Sequence, residues 1–210
     1  MFGWNRDNQG TFRPVKKIPK EHRNYRLQEI SRKTLGAGDL ATAVKLPPGE
    51  KLDDWLAMNV VEFYNQLSCL YAPIAEHCTN ITCPKMTAGP GFQYYWQDNE
   101  RYKKPTMLPA PEYITNVMAW TESFINDEKV FPCDPNVPFP PEFRGIVANI
   151  FKRLFRIYAH IYHHHRNDVI KMGGEAHLDT SFRHFALFCK EFKLIPEDQM
   201  KPLEQIMASF

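Results

Sequence analysis

The longest regular apolar spacing in the chain runs from Pro141 to about Arg166, where Phe143, Val147, Ile150, Leu154, Ile157 and Ile161 recur at threes and fours. That spacing stacks all six side chains on one face of a 3.6-residue helix. A helix this long with one apolar face needs partners to cover it, and three other stretches supply them. After the breaker "LPPGE", Leu52, Leu56, Val60, Phe63, Leu67 and Leu70 mark a helix through "LDDWLAMNVVEFYNQLSCLY", with acids in its first turn facing the positive end of the dipole. In "APEYITNVMAWTESFIND", Pro111 sits where the first turn needs no N–H, and Tyr113, Val117, Trp120 and Phe124 form a buried stripe. A further helix is expected to start near Asp179-Thr180-Ser181, all good N-caps, and to bury Phe182, Phe185, Phe188 and Phe192. The closing "IPEDQMKPLEQIMASF" reads as a short helix and a last one, each punctuated by proline. Only "GFQYYWQDNERYKKPT", aromatic and broken by Asp98-Asn99, reads as a small β-hairpin. The expected architecture is all-α, a helical bundle with one hairpin.

Length and composition agree with one globular domain: 210 residues, 43% apolar, 24% charged. No uninterrupted apolar run near the start suits a signal peptide and none elsewhere suits a membrane span, so the chain is expected in the cytosol or nucleus. The net charge of +2 hides an asymmetry, because residues 1–33 carry nine Arg/Lys against three acids. That leaves seventeen against twenty-one in residues 34–210, so the division read here is a basic, partly flexible arm (1–33) followed by one domain (34–210). No aromatic-interleaved basic repeat follows the arm, so nucleic acid is not an expected partner. Cys69, Cys78, Cys83, Cys133 and Cys189 are odd in number and irregular in spacing, which argues against a disulfide framework and leaves thiolate ligation or buried thiols.

The long helix ends in "AHIYHHHRND". Upstream, "EHCTNITCPK" offers Cys78 and Cys83 as a C-x4-C pair. Zinc sites join a close Cys pair to a close His pair, each pair supplying one edge of a tetrahedron. In a regular helix His160 and His164 share a face, while His165 lies about 140° away, so periodicity alone selects His164. Spacing by itself leaves two readings open: a closed Cys2His2 clamp, with His77 and His163 as substitute ligands, or a solvated histidine end above core cysteines.

Two charged faces stand out. Lys152, Arg153 and Arg156 gather on one side of the long helix with no acid within a turn, a grouping that suits phosphate. Glu50, Asp54 and Glu62 make an acidic edge beside Trp55, suited to a basic amphipathic partner helix. There is no phosphate-cradling glycine loop, H-E-x-x-H, G-x-S-x-G or kinase signature set, so catalysis is not expected.

These residues resemble the MOB (Mps-one-binder) family of kinase coactivators, the class that partners NDR/LATS-type kinases. The resemblance is carried in order by "TLGAGDL", "AVKLPPGEKLDDWLAMN", "EHCTNITCPKMTAGP", "YYWQD", "KKPTMLPAPEYI", "VPFPPEF", "RLFRIYAHIYHHH" and "EAHLDTSFRHF". It implies an all-α fold around a four-helix bundle, no enzymatic activity, and one structural zinc on Cys78, Cys83, His160 and His165, in place of the periodicity choice of His164. It further implies that Glu50, Asp54, Trp55, Glu62 and His184 bind the basic N-terminal segment of an NDR/LATS-type kinase. Lys152, Arg153 and Arg156 would bind phosphothreonine motifs of an upstream Hippo/MST-type kinase, and phosphorylation of Thr11 and Thr34 would free the kinase surface. The cellular setting so implied is the cytoplasm, the nucleus, or the spindle pole and division site. The main alternative is a divergent MOB scaffold in a phosphatase or membrane-traffic complex; a zinc-dependent hydrolase built on the histidines is the rival from another class.

Overall fold

The computed structural model describes residues 5–6, 12–13, 25–36 and 39–209, and at 5–6, 12–13, 29 and 32–36 the backbone only. In chain order the elements are β1 (Asn5–Arg6), β2 (Phe12–Arg13), α1 (Tyr25–Gly36), α2 (Leu40–Ala43), α3 (Leu52–Ile74), β3 (Tyr95–Trp96), β4 (Thr106–Met107) and α4 (Ala110–Ile125). Then come α5 (Phe143–His160), a π-helical turn (Ile161–His165), α6 (Arg166–Lys171), α7 (Glu175–Glu191), α8 (Glu197–Met200), a 3-10 turn (Lys201–Leu203) and α9 (Glu204–Met207). Helix α1 crosses the 33/34 boundary set between arm and domain, and its Leu27 and Ser31 are buried. Among the described residues no helix is long and apolar enough to cross a membrane.

Helices α3 and α5 form the centre, with α4 and α7 packed beside them, giving the four-helix bundle. The apolar face of α5 and of the π turn that continues it is covered: Phe143, Val147, Ile150, Leu154, Ile157 and Ile161 are all buried. Rings make the joint between three of the helices. Phe63 of α3 meets Phe151 of α5 edge-on at 5.6 Å, and both meet Phe185 and Phe188 of α7 at 5.3 to 5.4 Å. Burying each such ring contributes about 1.5–3 kcal/mol, so this cluster sets the register between the helices. Leu70, Trp120, Phe124 and Phe192 end the stripes half-buried, at the rim of the core.

The hairpin is antiparallel, with Tyr95 opposite Met107 and Trp96 opposite Thr106. It is tied to the segment that follows Cys83 by Tyr94 N donating to Met86 O and Met86 N to Leu108 O, both at 2.9 Å. Hairpin, cysteine loop and the end of α5 therefore share one corner of the molecule.

Helix α7 begins at Glu175, four residues ahead of the Asp179-Thr180-Ser181 start expected from capping. Gly173, at φ +71, ends α6 in the left-handed region that glycine adopts without strain, and Gly174 N closes on Val169 O at 2.9 Å. The candidate caps act at long range instead: Tyr162 donates to Asp179 Oδ1, and Tyr158 and Ser181 share a hydrogen bond, each at 2.7 Å.

Candidate functional site

Cys78 and Cys83 sit on a turn that begins where α3 gives way. Cys83 N donates to Thr79 O at 2.8 Å, Thr79 N to Thr82 Oγ1 at 2.9 Å, and Thr82 Oγ1 to His77 O at 2.7 Å. The turn brings both thiols inward and leaves Ile81 exposed at its tip. Cys78 Sγ lies 3.5 Å from His160 Nε2, and Cys83 Sγ lies 3.3 Å from His165 Nε2. The four ligand atoms all lie within 4.8 Å of one another, and all four residues are buried.

A tetrahedral ion with S at about 2.3 Å and N at about 2.0–2.1 Å requires S···N edges of about 3.5 Å. The observed spacings match that requirement. The ring orientations match it as well. A carbonyl can only accept, so His160 Nδ1, 2.8 Å from Thr87 O, carries the ring proton and leaves the Nε2 lone pair facing the thiols. Asp168 Oδ2 does the same for His165 Nδ1 at 3.2 Å. Burial pushes Cys78 up to about 12, with Cys83 adding to the shift and Tyr71 opposing it, and burial pushes His160 down to about 3. Without a cation the corner therefore favours neutral donors, and a divalent ion is the charge that turns the thiols into thiolates.

The π turn overturns the periodicity choice of His164. Its i→i+5 hydrogen bonding spreads five residues over the arc that four span in an α-helix, so His165 returns to the face of His160. His164 is carried past that face and pairs with Thr87 Oγ1 at 2.8 Å. His163 contacts Pro202 O at 2.8 Å and His77 is exposed, so neither joins the cluster.

One turn earlier on α5, the expected cation patch is half-buried, not open. Arg153 Cζ lies 4.2 Å from the Trp96 ring centroid and 4.3 Å from that of Trp120, and Nη2 donates to Gln97 O at 3.3 Å. Arg156 Nη1 donates to Tyr113 OH at 2.7 Å and its guanidinium lies over Tyr94 at 5.0 Å. Burial lowers the Lys152 ammonium pKa, as do Arg156 and Arg153 beside it, the signature of cations gathered with too little negative charge nearby. Spacing alone misses this aromatic frame. Its available signal was the run "YYW" opposite a helix carrying adjacent cations.

The acidic edge is present in part. Glu50, Asp54 and Glu62 are half-buried along the α3 side. Glu50 pairs with Arg26 at 3.4 Å, and Glu62 accepts from Gln66 Nε2 at 3.0 Å. Two residues expected on that surface lie beneath it. Trp55 is 1% exposed and donates Nε1 to Val44 O at 3.1 Å; an indole beside acids at a helix start is drawn inward by its area once one backbone acceptor is within reach. His184 is 4% exposed, its ring 4.7 Å from Phe63, and burial pushes it down to about 4. Of the two threonines, Thr11 lies outside the described residues, and Thr34 is placed in α1 by backbone alone.

Residues 32–203 match the Mob1/phocein family. The chain is 47% identical over 209 residues to a MOB kinase activator-like 1B of Medicago sativa subsp. falcata, covering all of this chain and 97% of that protein. It is 46% identical over 209 residues to maintenance of ploidy protein mob1 of Schizosaccharomyces pombe, covering 100% and 99%. Against MOB kinase activator-like 1 homolog A of Dictyostelium discoideum the figure is 45% over 199 residues, covering 95% and 93%. With fold, ligand cluster and full-length identity in agreement, the chain belongs to the Mob1/phocein family.

Proposed function

We propose that this chain is a non-enzymatic kinase coactivator: a helical adaptor closed by one zinc ion, with separate surfaces for a kinase and for a phosphorylated partner. The observation that carries the reading is end-to-end identity of 45–47% with relatives named MOB kinase activator-like. Cys78, Cys83, His160 and His165 would hold the zinc. A Cys2His2 set fills a tetrahedron and leaves no position for water, which supports a structural role over hydrolysis. When bound, the ion supplies a rigid link between the α3 exit and the α5 end.

Glu50, Asp54 and Glu62 would receive the basic N-terminal segment of an NDR/LATS-type kinase, with Trp55 and His184 supporting that face from below. The arm supports this assignment by its own behaviour: Arg26 pairs with Glu50, and the backbone of β2 lies against α3. One basic side chain of this chain thus already pairs with an acid assigned to the basic kinase segment. Phosphorylation of Thr11 and Thr34 would add about two negative charges each to a basic arm and so weaken its hold on the acids. Lys152, Arg153 and Arg156 would take phosphothreonine motifs of an upstream Hippo/MST-type kinase. The setting so proposed is signalling in cell-cycle control or cytokinesis, in the cytoplasm, the nucleus or at the division site.

Calorimetric titration of the zinc-assayed chain with a synthetic NDR/LATS N-terminal segment tests the kinase assignment. Saturable binding that weakens with salt is the expected result. No binding, together with recovery of a phosphatase complex from cells in place of such a kinase, would overturn it in favour of a scaffold.

A further inference from the structure

Two elements converge on the guanidinium of Arg153. Trp96 of β3 and Trp120 of α4 lie at 4.2 and 4.3 Å from its Cζ, and Nη2 is taken by Gln97 O. The first indole is itself fixed: it is buried, Nε1 donates to Asp98 Oδ2 at 2.7 Å, and its ring meets Tyr113 edge-on at 5.5 Å. The second is half-buried and braced edge-on by Phe124 at 4.9 Å. What remains is Nη1, buried and without a hydrogen-bond partner among the described residues. A charged donor left unsatisfied costs stability, a cost that an incoming phosphate would relieve on reaching Nη1 past the side chains that cover it. An arginine on a solvated helix face would instead turn its head to water.

We propose that Trp96 and Trp120 form a clamp that fixes Arg153 in its binding geometry, making Trp120 a positioning residue that sets both affinity for a phosphate monoester and rejection of a carboxylate. The inference rests on the phosphopeptide reading of this cluster. Free arginine carries much rotamer entropy, which a ligand must remove on binding; stacking between two indoles removes it beforehand. Arg156 is held by a separate aromatic pair, Tyr94 and Tyr113, and stands three residues on, about 60° around α5. Two fixed guanidiniums therefore stand on neighbouring faces of α5, with Lys152 as a mobile third charge, and a phosphate docking between them would meet both. A planar carboxylate can satisfy one fork in bidentate fashion. A tetrahedral phosphate has a third oxygen and a second charge for the other, so replacing the phosphothreonine of a ligand by glutamate does not restore binding.

The test uses the full chain with three peptides: phosphothreonine, threonine and glutamate at one position. The titrations are combined with the NMR signal of the Arg153 Nε–H. Trp120→Leu keeps an apolar side chain but removes the π face, and Arg153→Lys keeps the charge but cannot stack. Each is expected to weaken the phosphothreonine peptide about tenfold and to narrow its lead over the glutamate peptide, with melting close to that of the unaltered chain. In the unaltered chain the Nε–H signal is expected to be displaced by the ring currents, and in Trp120→Leu to lose that displacement. Affinity within twofold of the unaltered chain for either variant overturns the proposal. So does a Nε–H signal at the position of a solvated arginine, which removes the clamp whatever binds. Equal affinity of the unaltered chain for phosphorylated and unphosphorylated peptides instead overturns the phosphopeptide reading, and with it the ligand assigned here.

Discussion

Arg153 and His160 stand about two turns apart on α5, yet the two places dispose of their polar groups in opposite ways. At the histidine end every donor atom faces another: two thiols, two imidazoles, and behind them Thr87 O and Asp168 holding the ring tautomers. At the arginine end the charges are framed by aromatic rings, and one buried guanidinium N–H has no acceptor among the described residues. A closed set directs its energy inward and holds the fold. An incomplete set leaves a charged donor whose cost a bound ligand would relieve. The difference separates two roles on one helix that its charge pattern alone would merge into a single basic stretch.

The largest effect expected from breaking this contrast lies at the closed end. Cys83→Ser or His165→Ala should abolish stoichiometric metal and cost at least about 4 kcal/mol, a fall in melting temperature of about 10 °C, whereas His164→Ala should keep the metal. Metal assay and calorimetric melting check both; loss of metal on His164→Ala alone would show that the π turn does not select the ligand. Next comes the open end. Arg153→Ala with Arg156→Ala should weaken a phosphothreonine peptide by at least about 100-fold, since each charge-assisted bond contributes about 1.5–3 kcal/mol, and should leave metal content unchanged.

A smaller effect comes from pH at a third buried imidazole. His184 is pushed down to about 4 by burial against an ordinary value of 6.5, so as pH falls the unfolded chain takes up the proton first. Stability should be complete above pH 6.5 and should decline toward pH 4 by about 3 kcal/mol at most. Urea unfolding at two pH values checks this, and His184→Phe should flatten the slope relative to the unaltered chain. The smallest effect is at the exposed acids: Glu50→Lys with Asp54→Lys should weaken a basic kinase segment about tenfold and reduce its salt dependence, as partly solvated charges do. An unaltered dissociation constant would remove that edge from the binding surface.

The core was legible because helical period and burial express the same geometry. The six apolar residues spaced along α5 and the π turn that continues it are buried where the spacing put them. What spacing could not reach depends on residues far off in the chain. His165 replaces His164 because a π turn forms where the cysteine loop and Thr87 wait; no local pattern in "HIYHHH" encodes that turn. Asp179 looks like a cap, but α7 starts after Gly173 and Gly174, leaving that carboxylate to accept from Tyr162. Trp55 was expected beside the acidic edge and His184 was placed there only by the family resemblance, yet one backbone acceptor near the indole and a phenyl ring beside the imidazole accompany their burial. Lys152, Arg153 and Arg156 were visible as a cluster, while Trp96 and Trp120 arrive from other elements and could not be paired with them by sequence.

The most direct measurement is a calorimetric titration of the metal-loaded chain with a phosphothreonine peptide beside its unphosphorylated twin, repeated on Arg153→Ala with Arg156→Ala at equal metal content. The expected result is phosphate-dependent binding that the double variant loses while its metal and melting temperature stay in place. Loss of metal or of the fold along with binding would show the two corners to be one unit, and binding of both peptides alike would show that the open end holds no phosphate.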